Sequence, residues 1–320
     1  MARSFGPSEA KEETITMGST YILRKGAATM SDIKDGYAGA FGLGDGKIFY
    51  VDPGNGSDNN SGEEAEDAFA TLQAGIDATT SGRGDLILRL PGGEEVTETV
   101  AFNKSGIYVK AVTYGVNPYA SGELFSTYAA EAFVDGPVAT ITARCTIDGL
   151  GFASRDTGAT FYSGAAMLIG GDGLAGQFGA HIVNCRFPKW GLDNRIGIAV
   201  EGTSDVIIEN CDFEGVGSNF DSGIYVQGAT ANITIRGNHF RDCTQGIQFG
   251  AFAGGGPDCI IQGNVAVHGS LLAAASAAVG VVIDNYIPTK DVAAAFGGAS
   301  LGTLEGYGLW FANNHYSETP

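Results

Sequence analysis

The chain has 320 residues, 50 of them glycine and only 9 proline, and charged side chains make up 17%. That length can hold a substantial core, the sparse charge argues against disorder, and glycine without a three-residue period excludes collagen. Acidic residues outnumber basic ones 36 to 18, and the net charge of −18 repels nucleic acid and anionic membranes, so neither is expected as a partner.

In chain order, residues 1–14 are polar and charged and residues 26–46 are rich in Gly and Ala. Residues 1–45 read as an N-terminal arm that docks on another subunit or particle. No apolar stretch follows the first charges, so no secretion signal is expected, and the five cysteines are expected to stay reduced in a cytoplasm. A strand is expected at 47–51, a loop at 52–62 and an amphipathic helix at about 63–79, acidic at its start, with Phe69, Leu72 and Ile76 on one face. A strand at 85–90 and a Pro91-Gly-Gly turn follow. This stretch, IFYVDPGNGSDNNSG through AFATLQAGIDA to GDLILRLPGGEEVTETV, resembles the opening segment of the pectate-lyase-like superfamily of right-handed parallel β-helices. The resemblance covers residues 47 to about 112 and implies a helix that plugs the end of a solenoid. The superfamily holds lyases, glycoside hydrolases, phage tailspikes and non-catalytic virion proteins, so it implies a fold more than an activity.

Beyond that segment the chain repeats. Asn184-Cys-Arg-Phe187, Asn210-Cys-Asp-Phe213, Gly237-Asn-His-Phe240 and Asn264-Val-Ala-Val267 share an Asn or Gly, two residues, then an apolar anchor, at steps of 26, 27 and 27 residues. An earlier copy is Gly149-Leu-Gly-Phe152, and looser ones are Asn285-Tyr-Ile287 and Asn313-Asn-His-Tyr316. Alternating apolar residues precede the anchors (Val206 and Ile208, Ile233 and Ile235), and a second alternating element starts at Gly197, Gly223 and Gly246. Short strands with one apolar face cannot bury it alone, whereas stacked repeats can. The chain therefore reads as all-β: a single-stranded parallel β-helix over residues 46–320, right-handed by the resemblance, with about eleven rungs spanning ~50 Å. In such a solenoid Phe187, Phe213 and Phe240 would form an apolar column, and Asn184, Asn210 and Asn264 an asparagine ladder. Cys185 would lie over Cys211 as buried thiols.

Polysaccharide hydrolysis on this fold needs two or three carboxylates converging on one face. The candidates here are Asp212, Glu214 and Asp221, among neighbours Glu201, Asp205 and Glu209. Asp212 and Glu214 flank Phe213, so an inward Phe213 turns both outward, where solvated surface acids are the plain alternative. The resemblance implies an Asp-Asp pair, a Gly-His-Gly and an Arg-x-Lys for its polygalacturonases, and this sequence has none of them. Its lyases combine calcium-holding acids with a basic residue. Arg186, Lys189, Arg195, Arg236 and Arg241 sit on nearby rungs, but the row Arg186, Asp212, His239, Ala266 has the mixture of an outward surface. Trp190, Tyr225 and Arg195 are candidates for glycan contact, with packing or rim contacts as the alternative. The loop offers Asp52, Asp58 and Glu63 to calcium, against a simple Asn/Gly turn. No other metal or cofactor is expected, because the histidines and cysteines lack zinc spacing.

The resulting expectation is a virion structural protein, made in a host cytoplasm and displayed on the particle surface. It would be a capsid decoration docked through the arm onto capsid or other virion proteins, and a homotrimer by resemblance. The alternatives are a tailspike that binds or cleaves host surface polysaccharide, and a free polysaccharide lyase or glycoside hydrolase.

Overall fold

Alternation of apolar and polar residues sets each strand's inward face, and tight turns return the chain to the same three faces once per rung. The computed structural model describes residues 46–92, 94–96, 98–112, 123–126, 137–153, 165–171, 179–188, 196–215, 220–228, 230–250, 257–274, 278–287, 305 and 308–316. Among these, the strands form three parallel sheets of ten, nine and seven members. Sheet 1 runs from Ile48–Val51 through Cys145–Asp148, Ser204–Glu209 and Asp258–Gln262 to Leu309–Ala312. Sheet 2 includes Gly151–Ala153, Arg186–Pro188, Asp212–Glu214, His239–Arg241 and Val265–Val267. Sheet 3 includes Ala165–Gly170, Ile196–Glu201, Phe220–Gln227, Cys243–Phe249 and Ser270–Ala274. The chain visits sheets 1, 2 and 3 in turn, so each strand pairs with the one a rung earlier and a rung later. One continuous apolar core runs from Phe49 to Leu309.

The phenylalanine column forms as expected. Phe152, Phe187, Phe213 and Phe240 are fully buried and stacked, with ring centroids 5.6, 4.9 and 5.0 Å apart. Above Phe240 the column continues at Ala266, one residue before the expected Val267. The glycines of sheet 3 are fitted to it: a Cβ on Gly197 would fall 2.7 Å from the Phe213 ring, and one on Gly223 2.6 Å from the Phe240 ring.

The asparagine ladder exists, but in a different register. Asn184 and Asn210 are exposed and occupy a left-handed turn position, at φ 53° and 52°, that recurs at Gly237, Gly263, Asp284 and Asn313. Only Gly, Asn and Asp stand there, the residues that adopt positive φ at least cost. The next position faces inward and carries Cys185, Cys211, Asn238, Asn264, Asn285 and Asn314. Asn238 Nδ2 donates to Asn264 Oδ1 (3.0 Å), Asn264 Nδ2 to Asn285 Oδ1 (3.0 Å) and Asn285 Nδ2 to Asn314 Oδ1 (2.9 Å). Asn264 is thus a ladder member level with Cys211, not with Asn210. All five cysteines are buried and none is in a disulfide. Burial pushes the Cys145 and Cys259 thiols up to about 12 and Cys211 well above its ordinary value, so they are inert.

The expected helix at 63–79 is much shorter. A 3-10 turn covers Ala65–Asp67, and helix α1 covers only Leu72–Ala78, with Thr71 Oγ1 accepting from Ala74 N (3.2 Å). Between them Phe69 joins sheet 1 beside Val51, donating its N–H to the Tyr50 carbonyl, and so stays extended. Asp58 holds that conformation by accepting from Ala70 N, Thr71 N and Thr71 Oγ1. α1 buries Leu72, Gly75 and Ile76, and Gly75 lies against Val51, so the first rung is closed off.

Asp85 ties this cap to the solenoid. Its carboxylate is buried and accepts from Lys47 N (2.8 Å), Thr80 N (2.7 Å) and the Arg83 guanidinium (2.6 and 2.7 Å). Burial pushes the carboxyl up, but the Arg83 and backbone hydrogen bonds together outweigh it and leave it below its ordinary value. A depressed folded-state pKa contributes stability that is present above the unfolded value and lost as pH falls through the folded one. Wild type should therefore lose more Tm between pH 5 and pH 3 than Asp85→Asn, and parallel losses in thermal melts would contradict this anchor role.

Candidate functional site

Two outward surfaces collect the chemistry-bearing side chains. The first lies on sheet 2. Strand alternation around the buried Phe213 turns Asp212 and Glu214 outward, as their positions in the sequence imply. Register then aligns Arg186, Asp212 and His239 in one row and Pro188, Glu214 and Arg241 in the next. Arg241 Nη2 lies 2.6 Å from Asp212 and 3.2 Å from Glu214, Arg186 Nη2 lies 2.8 Å from Glu214, and His239 Nδ1 lies 3.5 Å from Asp212. Both carboxylates are thus cross-braced by guanidinium groups over three rungs.

The second surface is on sheet 3. In Phe220–Gln227, Ile224 and Val226 enter the core while Tyr225 and Gln227 face outward. Gly197, Gly223 and Gly246 press inward on the phenylalanine column, and the strands bend there. The bend brings positions i and i+3 to one outer side: Ser222 Oγ donates to Gln248 Oε1 (2.5 Å), although Gln248 lies level with Tyr225. Ala165, Ile196, Ala199 and Tyr225 form a small apolar cluster separate from the core. Beside it Gln227 Nε2 donates to Glu201 Oε1 (3.2 Å), and Glu201 and Tyr225 are each only 9% exposed. Burial, helped by the Glu201 carboxylate, raises the Tyr225 phenol above its ordinary value. The Gln245 amide oxygen is buried and accepts no hydrogen bond. On this face the amides of Gln227, Gln245 and Gln248 are partly exposed and can bond a polar ligand, while Ser222 is fully buried and Tyr225 and Glu201 nearly so.

The remaining expected residues scatter. Trp190 and Arg195 lie outside the described residues, as does the 1–45 arm, and the Asp221 side chain is likewise outside them. The three loop acids do not converge: Asp52 accepts from Gly54 N, Asn55 N and Asn55 Nδ2, Asp58 binds Ala70 and Thr71, and Glu63 pairs with Lys47 at 2.5 Å. Among the described residues no three His, Cys, Asp or Glu side chains gather to hold a metal ion. Glu201, Gln227 and Gln248 were not singled out with Tyr225 in the sequence; the spacing from Glu201 to Gln227, one rung, was the available signal.

A family model described as right handed beta helix region matches residues 170–296, the rungs that carry both surfaces. The chain is a right-handed parallel β-helix. Solved structures similar to this β-helix include a rhamnogalacturonan lyase, at 17% identity over 76% of this chain and 74% of that one, with a TM-score of 0.44. Another is the GH136 lacto-N-biosidase from Eubacterium ramulus, at 12% identity and a TM-score of 0.49, covering 81% of this chain and 53% of that one. Likeness at that level concerns the winding of the chain alone. No curated protein matches the sequence.

Proposed function

We propose that this β-helix is a structural protein of a virus particle, a decoration displayed on the capsid and docked through residues 1–45. The observation that carries the reading is the bracing of Asp212 and Glu214. A pair of catalytic carboxylates must leave room for substrate and water between them, whereas these two share one arginine and stitch three rungs together. Such ties suit a rigid spacer. Counting the chain in purified particles against the main shell protein tests the placement: hundreds of copies per particle support it, and absence from particles overturns it.

Asp212→Asn combined with Glu214→Gln should leave particle attachment intact and cost stability by about 1 kcal/mol, the scale of partly exposed ion pairs. Attachment assays and urea melts check this. Loss of a glycan-cleaving activity with unchanged stability would instead make these acids catalytic.

A second reading, a spike protein that binds host surface glycan, is favoured by the row of amides on the outer face of sheet 3. The partly buried amides of Gln227, Gln245 and Gln248 are matched to sugar hydroxyls, and the nearly buried Tyr225 ring stands beside them. Binding to a glycan array that disappears in Tyr225→Ala would support it.

A further inference from the structure

The outer faces of the three sheets differ in charge. On sheet 1 Lys110 pairs with Asp148 and Arg236 with Glu209, and on sheet 2 Arg186 pairs with Glu214 and Arg241 with Asp212. On sheet 3 one outward row runs from Ala101 through Leu168 and Tyr225 to Gln248 and Ala273, and no residue in it is charged on any of the seven strands. The row beside it, from Ala165 through Ser222 and Gln245 to Ser270, is uncharged as well. On the other side Gly170, Glu201 and Gln227 bring a single carboxylate, which is nearly buried.

We propose that sheet 3 binds an uncharged glycan rich in free hydroxyls, lying along the solenoid axis across the strands that carry Gln227, Gln245 and Gln248. This rests on the second reading above, a spike that binds host glycan, and names the class of sugar that reading leaves open. Two amides define the class. Gln248 Oε1 accepts from Ser222 Oγ (2.5 Å), which leaves Gln248 Nε2 as a donor to a ligand. Gln245 Oε1 is buried without a hydrogen-bond partner, and the last torsion of glutamine is soft enough for a small turn to present it. One amide thus calls for an acceptor and the other for a donor, three residues apart on the same outer side. A sugar hydroxyl is both, whereas a carboxylate or sulfate has no proton to give at neutral pH. Charge acts in the same direction. The three rows hold no Lys or Arg to neutralise an acidic sugar, Glu201 bonds to Gln227 beside them, and the net charge of −18 repels anions. The guanidinium groups of sheet 2, which would suit an acidic sugar, are already held by Asp212 and Glu214.

An array of neutral and acidic glycans probed with the full chain, followed by calorimetric titration of the best ligand, tests this. Binding should be confined to uncharged glycans and should change less than about twofold between ~0.1 and ~1 M NaCl, because salt screens only charged partners. Gln248→Glu keeps the acceptor for Ser222 but loses the donor, and Gln245→Ala removes the unsatisfied acceptor. Each should weaken binding about tenfold, the scale of one hydrogen bond, with an unchanged circular dichroism spectrum. Binding only to sialylated, uronic or sulfated glycans, or an affinity that both variants leave intact, would overturn the inference and leave a glycan-binding spike standing. An array on which nothing binds would overturn both.

Discussion

Phe213→Ala is expected to destabilise the protein by roughly 3–5 kcal/mol, the range for removing a fully buried phenylalanine. Phe213 has no exposed surface and is sandwiched between Phe187 and Phe240, with centroids 4.9 and 5.0 Å away. The cavity cannot close by collapse, because the neighbouring rungs are held at strand spacing by the hydrogen bonds of all three sheets. Gly197 supplies an internal control. Its added Cβ would lie 2.7 Å from the Phe213 ring and 2.6 Å from the Gly223 carbonyl oxygen, so Gly197→Ala alone should cost about 1–3 kcal/mol by overpacking. In the Phe213→Ala background the ring clash is gone and only the backbone contact remains, so the second change should cost less. Urea midpoints of the four proteins at constant m give the coupling, and strict additivity would mean that ring and glycine do not define each other's place.

The same column explains why the fold was legible. From Phe187 to Ala266 each rung repeats the chemistry of the last at 26 or 27 residues, and phenylalanine anchors with glycines opposite them mark the period. What the period does not fix is phase within a turn. Gly237-Asn238 and Asn210-Cys211 look like two ways of writing one motif, yet the first residue is at positive φ and exposed while the second is buried. Reading Asn264 as the turn residue shifted its rung by one, which also put Ala266 in the outward row where Val265 stands. The helix was overextended for a related reason. The pattern of acids followed by Phe69, Leu72 and Ile76 fits a helical face, but Phe69 makes strand hydrogen bonds and Asp58 fixes the extended link, so tertiary contacts overrule the local pattern. Of the two surfaces, the outward direction of Asp212 and Glu214 follows from alternation alone. Their bracing needs the exact rows that bring Arg186 and Arg241 beside them, and the sheet 3 amide row depends on a break in alternation at Gly223, where two adjacent residues both face the core.

Asn264→Ala should cost about 3 kcal/mol or more, because its partners stay buried and lose their bonds. Asn264 Oδ1 accepts from Asn238 N (2.9 Å) and Asn238 Nδ2 (3.0 Å), and its Nδ2 donates to the Ile235 carbonyl and Asn285 Oδ1 (3.0 Å each). Alanine fills the volume poorly and satisfies none of them. Cysteine is the natural occupant of this position two rungs earlier, where Cys211 Sγ approaches the Ile182 carbonyl at 3.7 Å. Asn264→Cys should therefore fall between wild type and Asn264→Ala, keeping a weak donor and most of the packing. Asn264→Asp separates hydrogen bonding from size. A carboxylate of the same shape keeps the two acceptances from Asn238, but its other oxygen then faces the Ile235 and Asn285 oxygens with no proton between them. Burial disfavours its charged form, so the aspartate variant should be the least stable of the three at neutral pH and recover relative to wild type as acid protonates it. Thermal melts between pH 7 and pH 4 read this directly. An aspartate variant whose deficit is independent of pH would mean that the column tolerates the charge, and the ladder would then contribute shape rather than hydrogen bonds to the stack.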